Sequence, residues 1–174
     1  MQMLSAAGVE VVGNPPYFEP VETVFHQWEP EWIAQQTGVV KLLHPTIVVN
    51  AFPKGDYRSI WLTRDIQEQS SSLLKMTMNN GPVSEADRDL DRIALTLGED
   101  RVWNTDRLGN LGELMLVSFE DIINKPKEVA ARVCDYFAVN GDLESMVSVI
   151  EERSTAALPT MELEDRLIHA QDPS

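Results

Sequence analysis

Apolar positions along this chain switch between two rhythms, and each switch marks a boundary. Short runs rich in β-branched residues at Val9–Val12, Val39–Leu43, Arg58–Thr63 and Leu114–Val117 read as strands. Lys125–Ala138 has the helical period, with Val129, Val133 and Phe137 recurring every fourth position on one face. Met1–Ala7 reads as the end of a helix stopped by Gly8, followed after Val12 by a Gly13-Asn14-Pro15-Pro16 loop. Pro20–Gln36 reads as one or two short helices divided at Pro30, and Thr46–Phe52 as a helical turn. Asp65 stands at the N-cap of a helix running to about Met78, and Glu68 three residues later completes a D-x-x-E capping box. That helix stops before Asn79-Asn80-Gly81-Pro82. Ser84 and Asp87 open a long charged helix through about Trp103, weakened at Gly98, and Asp106–Gly112 is loop-like. Leu143–Ile150 is a last helix before a polar tail. Strands alternating with helices predict an α/β fold with a mostly parallel sheet.

Composition narrows the class. A chain of 174 residues, 43% apolar with four Trp, has enough material for one packed domain, expected over residues 1–153 with a polar tail at 154–174. Cys134 is the only cysteine, so no internal disulfide forms, and VAARVCDYFA places it on the buried side of a helix as a packing thiol. No signal peptide and no apolar run of ~20 residues is present, so the expectation is a cytoplasmic protein without a membrane partner. His26, His44, His169 and Cys134 are scattered, which supports no metal site.

Charge then changes the picture. The net charge of −14 argues against binding nucleic acid or anionic membrane. Within Gly38–Gly81, however, Lys41, Lys54, Arg58, Arg64 and Lys75 outnumber Asp56, Asp65 and Glu68. The centre of that segment is Tyr57–Met76, YRSIWLTRDIQEQSSSLLKM. An apolar strand runs into Arg64, a helix begins at once, and Ser72 follows eight residues after the arginine. Open α/β sheets bind ligands at the carboxyl ends of their strands. An anion is favoured at the start of the following helix, where an arginine fork takes two oxygens and a serine hydroxyl a third bond.

Several stretches, in this order, resemble the sulfotransferase family, and its bacterial and phage-type members in particular. MQMLSAAGVEVVGNPPYFEP is similar to the family's helix, strand and Y-F-E loop, and Lys41 in VVKLLHP to a lysine on the next strand. Strand–Arg64–helix–Ser72 resembles the site for the 3′-phosphate of the donor 3′-phosphoadenosine 5′-phosphosulfate (PAPS). Val117–Phe137, VSFEDIINKPKEVAARVCDYF, is similar to the late (Y/F)-E-D-(L/I)…P-x-E…F-(L/F) block. The resemblance covers roughly residues 1–150. It implies a P-loop-like three-layer α/β fold and transfer of a sulfuryl group from PAPS, without a metal, to a hydroxyl or amine of a small-molecule or glycan acceptor. Arg64 and Ser72 would hold the 3′-phosphate, and Phe119 stands where many relatives carry a tyrosine that meets the adenine. Glu19 and His44 are the candidates for the base. His44 follows Lys41 by three residues where animal cytosolic enzymes have K-T-H. Lys41 would contact the sulfuryl group.

The chain departs from that pattern at its start. The family's first, central strand and its G-x-P-R-S-G-T-S loop, which wraps the 5′-phosphosulfate with backbone N–H groups, have no counterpart before Met1-Gln2-Met3-Leu4. The late R-K-G-type phosphate motif is also absent. Either the reading frame continues upstream or the chain is a natural truncation. In the second case it would be a non-catalytic, nucleotide-binding or self-associating remnant, with exposed strand edges through which homo-oligomers would form. A small-molecule kinase would want a G-K-[ST] loop and Mg²⁺ ligands, and the sequence offers neither. The acceptor is unspecified, because Asn14–Gln36 and Asn79–Asp89 are the loops that would form its pocket.

Overall fold

The computed structural model describes residues 1–13, 29–42, 52, 55–79 and 84–150. Its sheet is β1 (Tyr57–Thr63) beside β2 (Gly112–Ser118), paired in parallel from Tyr57↔Gly112 to Thr63↔Ser118. Parallel neighbours need a long crossover. It is supplied here by helix α3 (Ile66–Asn79), a 3₁₀ turn (Glu85–Arg88) and helix α4 (Leu90–Leu111). Before the sheet come α1 (Gln2–Ala6) and α2 (Pro30–Gln35); after it come α5 (Phe119–Asn124), α6 (Pro126–Phe137) and α7 (Leu143–Ser148). The described residues form a mixed α/β unit around a two-stranded parallel sheet.

One sheet face meets α6. Val129, Ala130, Val133 and Cys134 turn inward from this helix onto Val117, Leu4 of α1 and Met146 of α7, with Ile60, Met115, Val11, Val39 and Phe137 partly buried around them. The fourfold apolar spacing read from the sequence thus becomes the core, and Cys134 lies in it with its thiol 3.4 Å from Met146 Sδ. α6 begins at Pro126, whose missing N–H costs nothing at a first turn, and ends in a left-handed Ala138 with φ 53°. Tyr136 ties the helix to the sheet: its hydroxyl lies 3.0 Å from Ser59 O and 2.6 Å from Glu113 O. On the same side Arg58 donates from Nη1 to Tyr136 O at 3.0 Å and pairs with Glu113 at 3.5 Å.

Three expectations are corrected. The stretch expected to be loop-like after Asp106 is helical as far as Leu111. Its Asn and Gly residues read as breakers, yet Asn104 Nδ2 donates to Asp100 O at 2.7 Å and Asn110 Nδ2 to Asp106 O at 2.8 Å, while Asn104 and Leu108 are buried. Amides that bond back one turn are satisfied without leaving the helix, and the burial of Leu108 outweighs their weak preference for other conformations. The same helix starts later than expected: Ser84 and Asp87 bond each other in the 3₁₀ turn, and Asp89 is the cap, accepting from Arg92 N–H at 3.0 Å. Finally, Val9–Val12 and Val39–Leu43 were expected as strands, and their described residues form a single parallel bridge, Val11↔Val39. Gly38 permits the close approach, since a Cβ there would sit 2.8 Å from Glu10 O, and Gly13 at φ 98° turns the chain away directly afterwards. The expected turn at Thr46–Phe52 lies outside the described residues except for Phe52, and the tail after Ser154 lies wholly outside them.

Candidate functional site

Arg64 and Phe119 each stand one position beyond the last register pair, Thr63↔Ser118. In a parallel ladder, positions in register point to the same face. The two side chains accordingly meet, with Arg64 Cζ 5.5 Å from the centroid of the Phe119 ring. Arg64 Nε donates to Glu68 Oε2 at 3.0 Å, and the arginine side chain is 29% exposed. Among the described residues neither Nη atom makes a hydrogen bond. The guanidinium is therefore held at Nε with its Cζ over the ring, and its outer edge remains available.

The surrounding backbone explains the order at this corner. Asp65 caps α3 as predicted, its Oδ1 accepting from Gln67 N–H and Glu68 N–H, both at 3.0 Å. The reciprocal half of the expected capping box is arranged differently. Glu68 turns its carboxylate to Arg64, and Asp65 N–H donates to Glu120 Oε1 at 3.3 Å. Glu120 Oε2 in turn accepts from Ser118 Oγ at 2.7 Å, while Ser118 caps α5 by accepting from Asp121 N–H at 3.1 Å. From α4, Arg101 Nη2 donates to Arg64 O at 2.9 Å and lies 3.4 Å from Gln69 Oε1. Both strand ends are thereby tied to helices.

Ser72 is exposed on α3 and makes no hydrogen bond among the described residues, whereas Ser70 and Leu74 are buried, Ser70 Oγ donating to Ile66 O at 2.7 Å. Glu68 and Ser72 are one turn apart, so Arg64, Glu68 and Ser72 follow one another along a common face. The Met1 amino group is pushed below its ordinary range, first by burial and then by the charge of the Lys41 ammonium. Glu19 and His44, the expected bases, lie outside the described residues. The described residues hold no group of three or more His, Cys, Asp or Glu able to bind a metal ion. No described helix is long and apolar enough to cross a membrane.

Electrostatics at the corner differ from those of the segment read alone. Folding brings Glu120, just past the end of β2, to Asp65, so that Asp65, Glu68 and Glu120 stand against Arg64 and Arg101. Asp65 also takes the first free amides of α3, which the sequence offered to a ligand. Arg101 and Glu120 escaped the sequence reading because both arrive from distant elements. The one local signal was Ser118-Phe119-Glu120-Asp121, an S-x-x-D start that announces a helix N-terminus at the second strand end. Comparison with known proteins finds no matching family model, no matching curated protein and no matching solved structure.

Proposed function

We propose that this chain is a sulfotransferase-like protein that binds the 3′-phosphate end of PAPS at Arg64 and belongs to the machinery of sulfuryl transfer to a hydroxyl or amine. The observation that carries the reading is the Arg64–Phe119 pair: a guanidinium whose Cζ lies over the ring, fixed at Nε by Glu68, with its Nη edge without a partner among the described residues. Such an edge accepts two oxygens of a phosphate in one plane. Ser72, on the same helix face, supplies a further hydroxyl. Phe119 would serve the nucleotide indirectly, by holding Arg64, and directly if the adenine reaches its ring. PAPS, when bound, supplies a sulfuryl group already activated on a phosphate leaving group. Lys41 is the cation proposed for that end, with Glu19 or His44 as base. The acidic neighbours Asp65, Glu68 and Glu120 weaken a dianion's hold, so binding is expected to be modest.

Calorimetry with adenosine 3′,5′-bisphosphate and adenosine 5′-monophosphate tests this. The bisphosphate should bind more tightly, and Arg64→Ala should erase the difference, a loss of about tenfold or more for charge-assisted bonds. A folded protein giving no heat at millimolar bisphosphate would refute the reading. A second reading, a non-catalytic remnant that binds nucleotide or self-associates, is favoured by the sheet. β1 and β2 pair only with each other, so each keeps an edge outside any ladder among the described residues. Nucleotide binding without sulfuryl transfer to simple phenols or amines would select it.

A further inference from the structure

We infer that Glu68 is a positioning residue that decides how, and how tightly, Arg64 takes an oxyanion; the inference rests on the anion-binding reading of Arg64 given above. A guanidinium has five N–H donors in one plane, one on Nε and two on each Nη. Glu68 Oε2, 3.0 Å from Nε, occupies the inner edge, and Cζ lies over the Phe119 ring, 5.5 Å from its centroid. The edge formed by Nη1 and Nη2 is what remains, so an oxyanion must approach in the guanidinium plane from the outside. The mixed Nε–Nη grip, an alternative bidentate geometry, is closed to it while Glu68 is in place.

The same carboxylate reduces the attraction. Its negative charge sits on the guanidinium that the ligand must share, and Asp65 of α3 and Glu120 of α5 stand close behind, with Arg101 of α4 the second cation at this corner. Asp121 is engaged elsewhere, paired with Lys125 at 3.6 Å. A doubly charged phosphate or sulfate therefore meets a cation already half neutralised. Orientation is gained and affinity given up, an arrangement suited to a ligand that must leave after each turnover.

Two substitutions separate the orienting effect from the charge. Glu68→Gln keeps an acceptor for Arg64 Nε and removes the charge; Glu68→Ala removes both. The readouts are titrations with sodium sulfate and with adenosine 3′,5′-bisphosphate, followed by calorimetry and by the Arg64 side-chain N–H signal in nuclear magnetic resonance spectra. In E68Q both anions should bind about five- to tenfold more tightly, and the Nε–H signal should stay at an acceptor-bonded position. In E68A that signal should move to the position of a solvated arginine, with weaker binding than in E68Q. Equal affinity in wild type and E68Q, or in E68Q and E68A, overturns the inference. Failure of the nucleotide reading looks different: sulfate would still tighten in E68Q while the bisphosphate bound no better than sulfate. If Arg64→Ala takes up sulfate as well as the wild type, both fall.

Discussion

The Tyr136 hydroxyl has one hydrogen and two carbonyl neighbours, Glu113 O at 2.6 Å and Ser59 O at 3.0 Å, one on each strand of the sheet. Its one hydrogen goes to either carbonyl or is shared between them, and in each case it ties α6 to the sheet where the two strands lie side by side. Tyr136→Phe removes the hydroxyl and keeps the ring, which meets Phe137 edge-on at 5.2 Å. The expected cost is about 1 kcal/mol in urea melts. Burial raises the Tyr136 pKa above 10.0, as it does for Tyr57. A raised acid is neutral in the folded state while the unfolded chain has already ionised, so the stabilisation is intact below pH 10.0 and is lost as pH rises through the raised value. Melts on either side of pH 10.0 should show a shallower alkaline loss in the Phe variant, with Tyr57 contributing to what remains. At this scale the site was half legible. Arg64 was named from the strand end that an apolar run reveals, and Phe119 from the family resemblance. That they meet followed from register, and Glu68, read as half of a capping box, proved to be Arg64's ion-pair partner. The register is decided by contacts across more than fifty residues of sequence, which no local pattern carries, whereas the Arg64–Glu68 pair is local and its i,i+4 spacing was open to reading.

Helix α4 shows where local signals mislead. Gly98, Gly109 and Asn110 look like interruptions, yet the helix spans them: Asn104 and Asn110 satisfy their amides one turn back, and Leu108 is buried against the rest of the fold. Gly98 is then a weak point without a packing reason: a Cβ there would meet nothing within 4 Å. Gly98→Ala should stabilise the protein by about 0.5–1 kcal/mol, seen as a rise in Tm; no change would mean that this helix does not unfold with the rest. Gly112 is the opposite case, since a Cβ would run into the Tyr57 carbonyl at the first register pair, and Gly112→Ala should disrupt the start of the sheet. Caps depend on a few adjacent residues, yet of those read from the sequence the Asp65 cap stands where expected and the α4 cap lies at Asp89 instead of Ser84. Asp142 at the start of α7 accepts from Ser145 Oγ at 2.6 Å and from Glu144 N–H at 3.2 Å, which hold its carboxyl below the ordinary 3.8. A depressed carboxyl stabilises the fold above its unfolded pKa and ceases to do so as pH falls through the folded value. Acid melts should therefore steepen below about pH 3.8, and Asp142→Asn should flatten part of that loss.

For the whole molecule, the α/β class was readable from alternating runs, while the extent of the sheet was not, since a strand's neighbours are chosen by the fold. Two parallel strands make a small sheet, and parallel sheets ordinarily lie between neighbours on both sides. Here Leu62 and Leu116, on β1 and β2, are 62% and 51% exposed, and each strand keeps one edge outside any ladder among the described residues. Apolar side chains beside an open edge favour pairing with another chain. Opposing that is a net charge of −14, which makes two copies repel over a distance set by the ionic strength. The screening length falls from about 30 Å at 0.01 M salt to about 8 Å at 0.15 M, so repulsion should yield to edge pairing as salt rises. Sedimentation velocity across that range should show the average mass climbing from monomer toward dimer. Leu62→Lys, which places a charge beside the edge, should hold the protein monomeric at the higher salt without lowering Tm appreciably, because the side chain it replaces is already in solvent. A monomer at every salt concentration would show that the edges are closed to other chains, and would count against the self-associating reading while leaving the proposed nucleotide binding at Arg64 to calorimetry.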